Sequence, residues 1–75
     1  MEIKRTKEDD LYEKMYLDTQ LAFESKNLED YRTYLRMVLD TANKIIYEET
    51  IDIGRFIQTF RQSMDLVSYK YTDFL

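Results

Sequence analysis

The sequence predicts an all-α fold, a small antiparallel three-helix bundle (up-down-up) completed by homodimerisation, and three observations carry that expectation. The 75 residues include a single glycine, Gly54, and no proline, so the residues that punctuate strands and turns are almost missing. There is no Asn-Gly or Asp-Gly pair, which a chain of tight hairpins would need. Apolar residues instead recur every three or four positions along three stretches, separated by short breaks at Ser25-Lys26-Asn27 and Thr50-Ile51-Asp52.

The first helix is expected over about 7–25. Thr6 suits its N-cap and Asp9, three residues on, supplies a carboxylate variant of the capping box. Glu8, Asp9 and Asp10 place negative charge at the positive end of the helix dipole. Leu11, Tyr12, Met15, Tyr16, Ala22 and Phe23 fall within about 140° of one another at 100° per residue, which makes that face core.

The second helix is expected over about 28–49, capped by Asn27 with Glu29 and Asp30 in its first turn. Its stripe is Leu28, Tyr31, Leu35, Val38, Ala42 and Ile45, widened by Leu39 and Ile46 and flanked by Tyr34. Arg36–Asp40 and Lys44–Glu48 stand at i,i+4 in the weaker order, each adding tenths of a kcal/mol at most.

The third helix is expected over about 53–74, with Asp52 as N-cap and Gly54 tolerated in the first turn. The competing reading has Gly54 ending the second helix and leaves the third without a cap. Its stripe is Ile53, Ile57, Phe60, Met64, Val67, Tyr71 and Phe74, with Phe56 beside it. At 1.5 Å per residue this helix spans roughly 33 Å. Short connections make sequential helices antiparallel neighbours, so residues 7–75 form one helical domain behind a short basic arm at 1–6.

Composition narrows the function. Without Cys or His the usual zinc sites, disulfides and the commonest general base and nucleophile are missing, and one glycine builds no phosphate-cradling loop. Glu8-Asp9-Asp10-Glu13 and Glu48-Glu49 with Asp52 are acidic clusters, but no EF-hand spacing or Glu-x-x-His pair accompanies them. Every Asp and Glu falls on a polar face or at a helix end. The expectation is a non-enzyme without metal or cofactor. No apolar run approaches the ~20 residues of a membrane span, and the N-terminus lacks a signal peptide's apolar core, so a cytoplasmic protein is expected. The richness in Lys, Ile, Tyr, Glu and Asp with little Gly, Ala or Pro leads one to expect coding from an AT-rich bacterial, phage or plasmid genome.

Apolar residues are left over. Leu17 and Leu21 lie one turn apart, nearly opposite the apolar face of the first helix and among charges. They face either a partner or a second buried side of that helix. Met37, Tyr47, Leu66 and Tyr69 are also off their stripes. A chain this short without a staple has a marginal core, and seven tyrosines suit interfaces, both of which favour a dimer. The leading expectation is therefore a protein-binding regulator, adaptor or inhibitor, with Leu17, Leu21, Tyr12 and Tyr16 as anchors. The alternative is a nucleic-acid-binding transcriptional or replication regulator using Lys4, Arg5 and Lys7 of the arm with Arg32 and Arg36. A net charge of -4 disfavours it, and is too sparse for an acidic surface that imitates DNA.

Overall fold

Each helix starts on a side chain that satisfies its first free N–H groups. The computed structural model describes residues 6–48 and 51–75. Within them lie α1 (Lys7–Glu24), α2 (Leu28–Ile46) and α3 (Ile53–Tyr71), followed by a 3-10 turn over Thr72–Phe74, and no strand. Thr6 Oγ1 accepts from the Asp9 N–H at 3.1 Å while Asp9 Oδ2 accepts from the Thr6 N–H at 3.1 Å, a reciprocal capping box. Asn27 Oδ1 accepts from the Asp30 N–H at 2.8 Å, and Asp52 Oδ1 from the Arg55 N–H at 3.1 Å. No described residue has a positive φ, so Gly54 is a first-turn residue of α3 and not a left-handed cap. Residues 1–5, with Lys4 and Arg5, and residues 49–50 lie outside the described part.

The core has two centres. Tyr12, Met15, Val38, Ala42, Ile45 and Phe56 form one, joined by Leu11, Ile51, Phe60 and Met64. Ala22, Tyr31 and Val67 form the other, joined by Tyr34, Leu35, Met64 and Phe74. Across the second, Tyr31 Oη donates to the Val67 carbonyl at 2.6 Å and the Tyr31 and Phe74 rings lie 5.2 Å apart. The stacked Phe56 and Phe60 rings, 5.5 Å apart, close the first. Three helices pack together in a manner consistent with a three-helix bundle, but unequally. α1 contacts α2 most, α3 less, and α2 and α3 meet least. The Cα radius of gyration, 13.3 Å, exceeds the about 11 Å of a globule this long, and the extents of 44 × 24 × 17 Å describe a thin slab.

That inequality changes several expectations. α2 stops at Ile46, short of position 49, and the end of the third segment tightens into the 3-10 turn. Because α3 leans chiefly on α1, its buried arc is centred on Phe56, Ser63 and Val67, rotated by about 40° from the predicted stripe at 100° per residue. Ile53, Ile57 and Tyr71, expected in the core, are consequently exposed. Tyr16 on α1 is exposed for a similar reason, lying at the edge of the arc its neighbours cover. Conversely, α1 is flanked on two sides and its buried arc outgrows its apolar stripe. Thr19 is buried and bonds the Met15 carbonyl at 2.7 Å. Asp18, read as a polar-face residue, is only 4% exposed and is held by Lys14 Nζ at 3.0 Å. Neither Arg36–Asp40 nor Lys44–Glu48 forms an ion pair among the described residues. Glu48 meets Lys7 instead, at 3.3 Å.

Candidate functional site

The outer side of α1 presents the first exposed apolar surface. Leu17 and Leu21, at i and i+4, are 53% and 42% exposed on the side of α1 away from its buried arc. Tyr16, 58% exposed, lies on a different side of α1, about 100° from Leu17 around the helix. Tyr12 is buried. It is 6% exposed, packed in the first core centre with Arg55 stacked on its ring at 4.2 Å, because its angular position points between α2 and α3. Tyr12 is therefore corrected from surface anchor to core residue. Leu21 also borders a shallow hollow with Glu24, Ser25, Lys26, Asn27, Asp30 and Tyr34, where the α1–α2 turn is pinned by Ser25 Oγ donating to the Ala22 carbonyl at 2.6 Å.

A second surface runs along α2 and α3, and sequence reasoning missed it by counting its residues as core. Leu28, Leu39 and Ile46 of α2 and Ile53, Ile57 and Tyr71 of α3 are all exposed. Arg32 and Arg36 border this surface, lining open hollows with Leu28, Thr33, Leu35 and Leu39. The basic residues of the alternative reading are thus not brought together. Arg32 and Arg36 lie along α2 among leucines, whereas Lys7, at the start of α1, is already paired with Glu48.

The polar cluster joining the starts of α1 and α3 is structural in character. Arg55 Nη2 donates to Asp9 Oδ1 at 3.0 Å, tying the starts of α1 and α3 together. The Thr6 backbone N–H and then Arg55 hold the Asp9 carboxyl below its ordinary range. Burial, and next the Glu8 charge, push the Tyr12 hydroxyl up, and burial likewise raises that of Tyr31. Tyr12 Oη and Glu8 Oε1 are buried without a hydrogen-bond partner. A phenol held protonated in this way is a poor base, and it does not line the hollows described above. Among the described residues no group of three or more Asp and Glu side chains is close enough to hold a metal ion, and no helix is long and apolar enough to cross a membrane.

Fold and surfaces together define a small all-helical protein that displays two apolar faces beyond what its own core encloses. The chain matches no protein-family model, no curated protein and no solved structure. Its functional reading therefore comes from those faces.

Proposed function

We propose that this chain is a small, non-enzymatic, cytoplasmic protein that acts by binding another protein, as a regulator, adaptor or inhibitor of the kind encoded by phages, plasmids and other mobile elements. It would do so as an antiparallel up-down-up bundle completed by homodimerisation. The contact of Asp9 with Arg55, of Lys7 with Glu48 and of Tyr31 with Val67 supports that helix order, since each joins ends that up-down-up packing brings level. The observation that carries the function is the pair Leu17 and Leu21, exposed on α1. Apolar anchors one turn apart among charges suit a groove or helix on a partner, which they would enter as a desolvated centre with a polar rim.

Nucleic-acid binding is the rival, favoured by Arg32 and Arg36, which have no ion pair among the described residues. It is the weaker reading because these arginines flank leucines and Lys7 is neutralised. Two measurements separate the readings. The double variant Leu17→Lys/Leu21→Lys should keep its helicity and melting, with a stability change within about 0.5 kcal/mol, while losing the partner recovered from the native host. Unchanged recovery would remove this patch from the function. Retention on random duplex DNA that falls steeply with salt would instead promote the rival.

A further inference from the structure

On α2, Leu28, Leu35, Leu39 and Ile46 recur at intervals of seven, four and seven, and on α3 Ile53, Ile57, Met64 and Tyr71 recur at four, seven and seven. Such spacings keep each set on one flank of its helix. Leu35 and Met64 are half-buried and the other six are exposed. The opposite flank of each helix is the one turned toward α1. Tyr34 of α2 lines a hollow with Leu21, and Arg55 of α3 lies 4.2 Å over the ring of Tyr12. Apart from the half-buried Leu35 and Met64, which reach the core, both rows consequently turn away from α1, to the side where α2 and α3 come together, and the 6.2 Å contact of the Tyr31 and Tyr71 rings bridges the two helices there. They form one two-helix face.

We infer that a second copy of this chain covers this face in a two-fold dimer, with α2 of each protomer lying on α3 of the other. The inference rests on the homodimer reading above and assigns its interface. The first support is area. The exposed parts of the two rows come to roughly 600 Å² of mostly apolar surface, close to the ~800 Å² each partner contributes to a standard stable interface.

The second support is charge. The outer margin of α2 carries Arg36 and then Asp40, and that of α3 carries Arg61 and then Asp65. All four are exposed, and none makes an ion pair among the described residues. The Tyr31–Val67 bond and the joint packing of Ile45 and Phe56 fix the levels, setting Arg36 beside the stretch of α3 around Asp65 and Asp40 beside that around Arg61. A two-fold axis parallel to the helices preserves those levels and exchanges α2 for α3. Arg36 then meets the partner subunit's Asp65, and Asp40 meets the partner subunit's Arg61, each pair formed twice. The face is complementary to itself in both grease and charge, as an isologous interface must be.

Sedimentation equilibrium of the full chain, with circular dichroism as the check on folding, tests this. The wild type should approach twice its 9.2 kDa mass at tens of micromolar. Ile57→Asp should be monomeric with its helicity intact. Asp65→Arg should weaken association about tenfold, by placing like charges opposite, and Arg36→Asp/Asp65→Arg should recover most of that loss. A wild type that stays at the monomer mass would overturn the homodimer reading itself. A dimer that survives both Ile57→Asp and Asp65→Arg would overturn this face while leaving self-association standing. The charge pair still decides the matter if Ile57→Asp fails to fold.

Discussion

α1 and the α2–α3 pair make opposite use of their apolar residues. α1 has the least orderly segregation of the three helices, yet it is the one enclosed on two sides, and it buries Asp18 and Thr19 along with Met15 and Ala22. α2 and α3 have cleaner stripes, yet one flank of each is left in water. Burial follows from the number of neighbours a helix has, and a clean stripe only states how much a helix is able to bury. Where a strong stripe outruns its neighbours inside the chain, the surplus is available to another molecule.

The largest effect that tests this contrast is truncation at the hub. Met15→Ala removes a fully buried side chain at the meeting of all three helices and should cost about 3 kcal/mol, most of the ~3–5 kcal/mol that a core this size supplies. Urea titration should find it largely unfolded in dilute solution. A cost below about 1 kcal/mol would remove α1 from its central place.

A middling effect belongs to the long-range hydrogen bond between α2 and α3. Tyr31→Phe deletes the hydroxyl that donates to the Val67 carbonyl and should cost about 1 kcal/mol. It also sharpens a pH signature. Burial raises the folded-state pKa of Tyr31 above its ordinary 10.0, so its contribution is complete below pH 10 and is lost as pH rises through the raised value. The variant should melt less steeply with alkaline pH than the wild type, as thermal denaturation from pH 9 to 12 would reveal.

The smallest effect concerns the tie between the starts of α1 and α3. Asp9 has a lowered pKa in the folded chain, so its stabilisation is complete above its ordinary 3.8 and disappears as pH falls below it. Asp9→Asn should lower stability slightly at neutral pH, where the ionised carboxylate otherwise holds the Thr6 N–H and Arg55, and should flatten the further loss below pH 4. A profile that keeps its wild-type acid slope would assign the acid sensitivity to other carboxylates.

Much of the fold was legible because it is written locally. Thr6, Asn27 and Asp52 are recognisable caps, since a short oxygen-bearing side chain before an apolar period can do little else as well. The angle of Leu17 and Leu21 sets them apart from the apolar face of α1, but that this side stays uncovered is decided by where α2 and α3 lie. Tyr12 and Tyr16 were not separable in the same way. Both sit within one 140° arc, and which end of that arc is covered depends on where α3 lies. Asp18 was misread for the same reason, its polarity having been taken as a sign of exposure.

The α2–α3 face was hidden by the very regularity of its rows, because Ile53 and Ile57 have the spacing of core residues. The amino-acid order by itself determined that there are three helices, where they start and how greasy each side is, all of which depend on neighbours within a turn or two. Only tertiary structure decided how far each helix is rotated about its axis and which flank stays open. Those depend on how unequally three rods share their contacts, and a 40° turn moves an isoleucine from core to surface without altering a single local preference.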